Sequence, residues 1–94
     1  MADGEWTEEP VEFPIDGILD LHNFAPREVG TLVPDYLEEC RKRGILDVRI
    51  IHGKGTGVLR ERVHSILRKT PGIIDFRLAH DASGWGATIV TLAP

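Results

Sequence analysis

A single cysteine, Cys40, excludes an intramolecular disulfide and a cysteine-based zinc site, so neither staple available to small domains can operate here. Packing alone must hold the fold. Aromatic residues are few, at 6%, and no apolar run approaches the roughly 20 residues that span a bilayer, which excludes a membrane-spanning helix. The opening MADGEWTEEP has neither a basic region nor an apolar stretch of the secretory kind, so a cytoplasmic location is expected. Residues 1–16 contain no Lys or Arg at all, against six acids: Asp3, Glu5, Glu8, Glu9, Glu12 and Asp16. With Pro10 and Pro14 and no sustained period, residues 1–16 read as an acidic, mobile arm ahead of one domain over residues 17–94. The whole chain, 94 residues, suffices for one hydrophobic core and not for two.

The net charge of −4 would speak against a polyanionic partner if it were evenly spread, and it is not. Residues 17–94 carry 11 bases against 9 acids. Within residues 41–69 there are nine bases against Asp47 and Glu61, a local balance of +7. Such a segment beside an acidic arm suits a phosphate-binding surface, as it also suits solvated helix faces. Charge alone does not choose between them.

The chain reads β-α-β-α-β-β. Ile18 to His22 forms a short strand that puts Asp20 and His22 on one face, because successive side chains alternate. From Pro26 to near Arg43, Val29, Leu32, Val33, Tyr36, Leu37 and Cys40 make one apolar helical stripe, with a kink or short break expected at Pro34 and a stop at Gly44. Asp47 to Ile51 is a second strand and Val58 to Lys69 a second helix, with Leu59, Val63, Ile66 and Leu67 inward and His64 expected at the surface. Strands over Ile73–Ala79 and Gly86–Ala93 follow, joined by a turn-rich loop. Right-handed crossovers then deliver both helices to one face of a four-stranded mixed sheet, a two-layer α/β (α+β) sandwich. The other face stays open, with Asp20, Arg49 and Arg77 on it.

Two groupings can carry chemistry. Asp20-x-His22 pairs a carboxylate with an imidazole that titrates near neutrality, an acid/base arrangement that is weakly specific by itself. His52-Gly53-Lys54-Gly55-Thr56-Gly57 sits between a strand and a helix, where free helix amides, close backbone approach at glycines and a lysine make an anion cradle. Val58 stands where a dinucleotide fingerprint needs a third glycine, and Gly55 follows Lys54 where a Walker loop needs Ser or Thr, so a nucleotide cofactor is disfavoured. If the first two strands are parallel neighbours, both groupings lie at their carboxyl ends and share one site. They then supply the acid, base and phosphate-holding parts for cleaving a phosphodiester.

Together, Leu19-Asp20-Leu21-His22, Ile51-His52-Gly53-Lys54-Gly55-Thr56-Gly57-Val58-Leu59-Arg60 and Gly84-Trp85-Gly86-Ala87-Thr88-Ile89-Val90 resemble the three successive motifs of the small MutS-related (Smr) domain. The resemblance covers about residues 17–94 and departs at Asn23, where many members carry glycine. It implies an endonuclease, or alternatively a non-catalytic DNA- or RNA-binding module, acting on structured DNA or on messenger RNA at stalled ribosomes. It places catalysis at Asp20, His22 and His52. Nucleic-acid contacts are expected from Arg49, Gly53, Lys54, Gly55, Thr56, Gly57, Arg60 and Arg77, with Trp85 either stacking a base or serving packing or a turn. No cofactor is identified. No ligand spacing supports a divalent ion, His80-Asp81 included, and a monomer is expected.

Overall fold

The computed structural model describes residues 15–80 and 86–94. β1 (Ile18–Asp20) leads through a short 3-10 helix (Pro26–Glu28) into α1 (Val29–Lys42), followed by β2 (Asp47–Ile51), α2 (Val58–Lys69), β3 (Ile73–Leu78) and β4 (Ala87–Leu92). The sheet order is β1-β2-β4-β3, with β1 parallel to β2 and β4 antiparallel to both its neighbours. The expected element order and the mixed four-stranded sheet are both present. Because β4 runs down between β2 and β3, the carboxyl ends of the other three strands and the start of β4 share one edge.

Strand parity separates the two faces. Leu19, Val48, Ile50, Val90 and Leu92 are buried against Val29, Val33, Leu37 and Cys40 of α1 and Val63, Ile66 and Leu67 of α2. Each fully buried Leu or Ile contributes about 1.5–3 kcal/mol, so this single layer supplies most of the driving force. On the opposite face, Ile18, Arg49, Ile89 and Arg77 are register partners in one row across all four strands, with Asp20 one pleat closer to the shared edge. Asp20, Arg49 and Arg77 therefore lie on the open face as parity requires.

Two local expectations change. α1 runs without interruption through Pro34, which sits in its second turn and forfeits only the bond to the Gly30 carbonyl. The break in α-helical bonding lies upstream instead, in the 3-10 helix, where the Ala25 amide donates to the Glu28 carboxylate at 2.7 Å and the Glu28 amide to the Ala25 carbonyl at 2.9 Å. The second change concerns charge. Arg41, Lys42 and Arg43 pair with Glu38 and Glu39 at the end of α1, at the sheet edge away from the carboxyl end of β1, so the +7 segment is not one surface.

At the amino end, Ile15 packs against the core and the Asp16 carboxylate accepts the Ile18 amide at 3.0 Å, while residues 1–14 of the expected arm lie outside the described residues. Tyr36 secures the start of β1: its hydroxyl accepts the Gly17 amide at 3.1 Å and donates to the Ile18 carbonyl at 3.2 Å. Among the described residues, no helix is long and apolar enough to cross a membrane.

Candidate functional site

β1 ends as Leu21 turns its fully buried side chain into the core and its amide donates to the Ile51 carbonyl at 2.7 Å. His22 is thereby carried out of the sheet at the shared edge, exposed and beside Asp20. One oxygen of Asp20 accepts both the His22 backbone amide, at 3.1 Å, and the ring Nδ1–H, at 2.5 Å. The ring bond holds the Asp20 carboxyl below its ordinary range, against the opposing pull of partial desolvation. Asp20 thus stays ionised and fixes the imidazole through Nδ1, leaving Nε2 outside that bond on a side chain about half exposed.

β2 ends in the glycine-rich bend. The amides of His52 and Gly53 both donate to the Gly86 carbonyl at 2.9 Å, tying the bend to the start of β4. Gly53 has φ +82°, and a Cβ there would lie 3.6 Å from the Cβ of His22, so the two strand ends are in close approach. Gly57, at φ +89°, precedes α2, and a Cβ on it would fall 2.7 Å from the guanidinium of Arg60. Only glycine lets Arg60 fold back across the bend.

These pieces enclose a cleft of about 400 Å³, walled on one side by His22, Phe24 and Pro26 and on the other by His52, Gly53 and Gly55 through Arg60. The amides that open α2 have no partners within the helix, and the Val58 amide reaches only the Thr56 hydroxyl at 3.4 Å. Positive helix end, guanidinium and imidazole therefore converge on one concave surface, a setting for a phosphate group. Glu61, 3.8 Å from Arg60, offsets part of that charge.

His52 is placed differently from His22. It is 4% exposed, and both ring nitrogens are engaged: Nδ1 with the Gly53 carbonyl at 3.1 Å and Nε2 with the Thr88 hydroxyl at 2.8 Å. Burial pushes its pKa down, opposed by the Gly53 bond and aided by Arg60. His52 lines the cleft with both ring nitrogens bonded inside the fold, an arrangement that supports the bend.

The remaining expected residues divide. Gly53, Gly55, Thr56, Gly57 and Arg60 line the cleft, whereas Lys54 is exposed and takes no part in the lining. Arg49 and Arg77 lie on the open face behind Asp20, Arg77 at 3.3 Å from Asp75, so the structure does not bring them into the cleft. Trp85 and Asp81 lie outside the described residues, and among those described no group of three or more His, Cys, Asp or Glu residues is arranged to hold a metal ion.

His64 corrects the expectation of a surface position. It is half-buried, its Nε2 is 2.8 Å from the Thr88 hydroxyl, and its ring packs on Phe76 at 5.1 Å between centroids. Sequence reasoning passed over Thr88, although its parity with Val90 and Leu92 puts a hydroxyl on the inner face of an apolar strand.

The family model described as Smr domain matches residues 19–93. The chain belongs to the Smr domain family. The Smr domain of MutS2 from Thermus thermophilus, a crystal structure, superposes with a TM-score of 0.77 at 36% identity over 82% of this chain and 98% of that one. The stand-alone small MutS-related protein YdaL of Escherichia coli shares the fold, at a TM-score of 0.78 and 24% identity over 88% of this chain and 69% of that one. Among curated relatives, the endonuclease MutS2 of Halothermothrix orenii is 47% identical over 75 residues, 79% of this chain. That of Clostridium tetani is 33% identical over 79 residues, 83% of this chain. The Smr chain spans about 10% of the length of these MutS2 relatives.

Proposed function

We propose that this Smr domain cleaves phosphodiester bonds of nucleic acid at the cleft between His22 and the start of α2. The observation that carries the reading is an exposed imidazole, oriented by an ionised carboxylate, on the rim of a cleft whose other wall is a helix start with Arg60. Its similarity to endonucleases of the MutS2 type supports the substrate class. A backbone phosphate sits against the amides of Val58, Leu59 and Arg60, where helix end and guanidinium favour its charge. His22 Nε2 accepts the proton of the attacking oxygen, from water or from a ribose 2′-hydroxyl, as that oxygen bonds to phosphorus. The bond from phosphorus to the leaving oxygen breaks, and that oxygen leaves with a proton supplied by the imidazolium or by water. Asp20 stabilises the imidazolium between these events. His52 transfers no proton and holds the bend.

The test is an incubation of labelled single-stranded RNA, duplex DNA and branched DNA with the wild-type chain and with His22→Ala, with and without chelator. Cleavage of at least one substrate is expected, reduced about 10²–10⁴-fold by the substitution while binding changes little. Binding that falls steeply with salt but leaves every substrate intact would establish a nucleic-acid-binding module in place of a nuclease.

A further inference from the structure

Beneath the bend, two histidine rings, one from the bend and one from α2, meet at one hydroxyl of β4. Thr88 of β4 is fully buried, and its oxygen lies 2.8 Å from Nε2 of His52 and 2.8 Å from Nε2 of His64 on α2. The two rings stand edge to face with centroids 6.0 Å apart. A carbonyl can only accept, so the Gly53 carbonyl requires the His52 proton on Nδ1 and leaves Nε2 a lone pair. The Thr88 hydroxyl must then donate to His52, and His64 must donate its Nε2–H to the Thr88 oxygen. Every donor points the same way, from α2 through β4 to the carbonyl of Gly53. A proton on His52 Nε2 would reverse the chain beyond it, with Thr88 accepting from His52 and donating to a His64 ring whose proton has moved to Nδ1.

We propose that Thr88 and His64 are positioning residues, a hydrogen-bonded relay that fixes the His52 ring and through it the Gly53 carbonyl and the phosphate-holding bend. The proposal deepens the reading of the cleft as a phosphate site and rests on it only for the binding readout. Gly53, at φ +82°, is held from two sides: its amide by the Gly86 carbonyl and its carbonyl by the His52 ring. Removing the hydroxyl frees one of those holds and allows the bend to shift away from His22. The charged and titratable groups acting on the relay from outside it are Arg60 on His52, and Glu61, Arg68 and Arg60 on His64, while within it His52 acts on His64. All of the outside groups lie on α2.

The relay is tested first without any activity. In ¹⁵N-labelled protein, long-range ring couplings are expected to show His52 as the Nδ1–H tautomer and His64 as the Nε2–H tautomer. In Thr88→Val, a near-isosteric change, the amide signals of Gly53 to Gly57 are expected to move and exchange faster while those of the His22 ring stay in place. In Thr88→Ser, which keeps the hydroxyl, they are expected to return. A His52 ring protonated on Nε2, or bend signals unmoved in folded Thr88→Val, would overturn the relay.

The second readout is binding of labelled RNA and DNA oligonucleotides. About a tenfold loss is expected in Thr88→Val and less than twofold in Thr88→Ser, a loss that corresponds to about 1.4 kcal/mol. Equal affinity in Thr88→Val would remove the link to the bend. A wild-type chain that binds neither oligonucleotide would sink the phosphate reading, and the tautomers would still decide the relay. Should Thr88→Val fail to fold, His64→Gln, which retains one side-chain donor, replaces it, with His64→Phe as its apolar counterpart.

Discussion

Two histidine sites lie on either side of one glycine, and their surroundings are opposite. His22 stands at the rim with about half of its side chain exposed, one carboxylate partner and an open Nε2. His52, reached through Gly53, is buried, has its pKa lowered by that burial and is bonded at both nitrogens. The same side chain is suited to proton transfer where solvent and substrate reach it, and to fixing backbone where they do not. Motif membership does not distinguish these roles; the accessibility of the ring nitrogens does.

The sharpest way to break this contrast is His22→Ala, the largest expected effect. Next is Asp20→Asn, which keeps the shape of the pair and removes its charge. With a hydrogen bond to a charged group contributing about 1.5–3 kcal/mol, the cleavage rate should fall about 10–100-fold with little change in KM. A rate equal to wild type would show that the carboxylate does not assist the imidazole. On the buried side, Thr88→Val leaves two imidazole nitrogens without their shared partner and should cost about 1–3 kcal/mol of stability, read from urea unfolding.

Acid sharpens the comparison further. Burial lowers the pKa of His52 and of His64 below the ordinary 6.5, so below that pH the unfolded chain binds protons that the folded chain refuses. Stability should be level above neutrality and decline as pH falls through about 6.5 toward the depressed folded values, with a slope approaching about 1.4 kcal/mol per pH unit for each ring. Urea midpoints across that range check it, and His64→Phe should flatten the slope. The smallest effect belongs to the far edge: Glu38→Gln breaks an exposed pair with Arg41 and should change stability by less than about 0.5 kcal/mol and nucleic-acid affinity not at all.

Much of the fold was legible because its cues are local. Alternation in Ile18–Asp20 and Asp47–Ile51, the apolar stripe of α1 and the Gly44 stop each act within a few residues. The meeting of His22 with the bend was legible through one topological rule, that parallel strands end at a common edge. What the sequence hid is set by contacts far along the chain. His52 and Thr88 are 36 residues apart, and His64 and Thr88 are 24 apart, so neither periodicity nor motif spacing announces their bond. The break allowed for at Pro34 is absent because a proline near a helix start loses one bond rather than a turn, and the +7 window misled because its boundary omitted Glu38 and Glu39.

The division of labour is tested most directly by measuring binding and single-turnover cleavage of one labelled substrate for wild type, His22→Ala and Thr88→Val side by side. The account predicts that His22→Ala binds as wild type and barely cleaves, whereas Thr88→Val binds about tenfold more weakly and cleaves at close to the wild-type rate once saturated. Wild-type cleavage by His22→Ala, or the same pattern of loss in both variants, would contradict it.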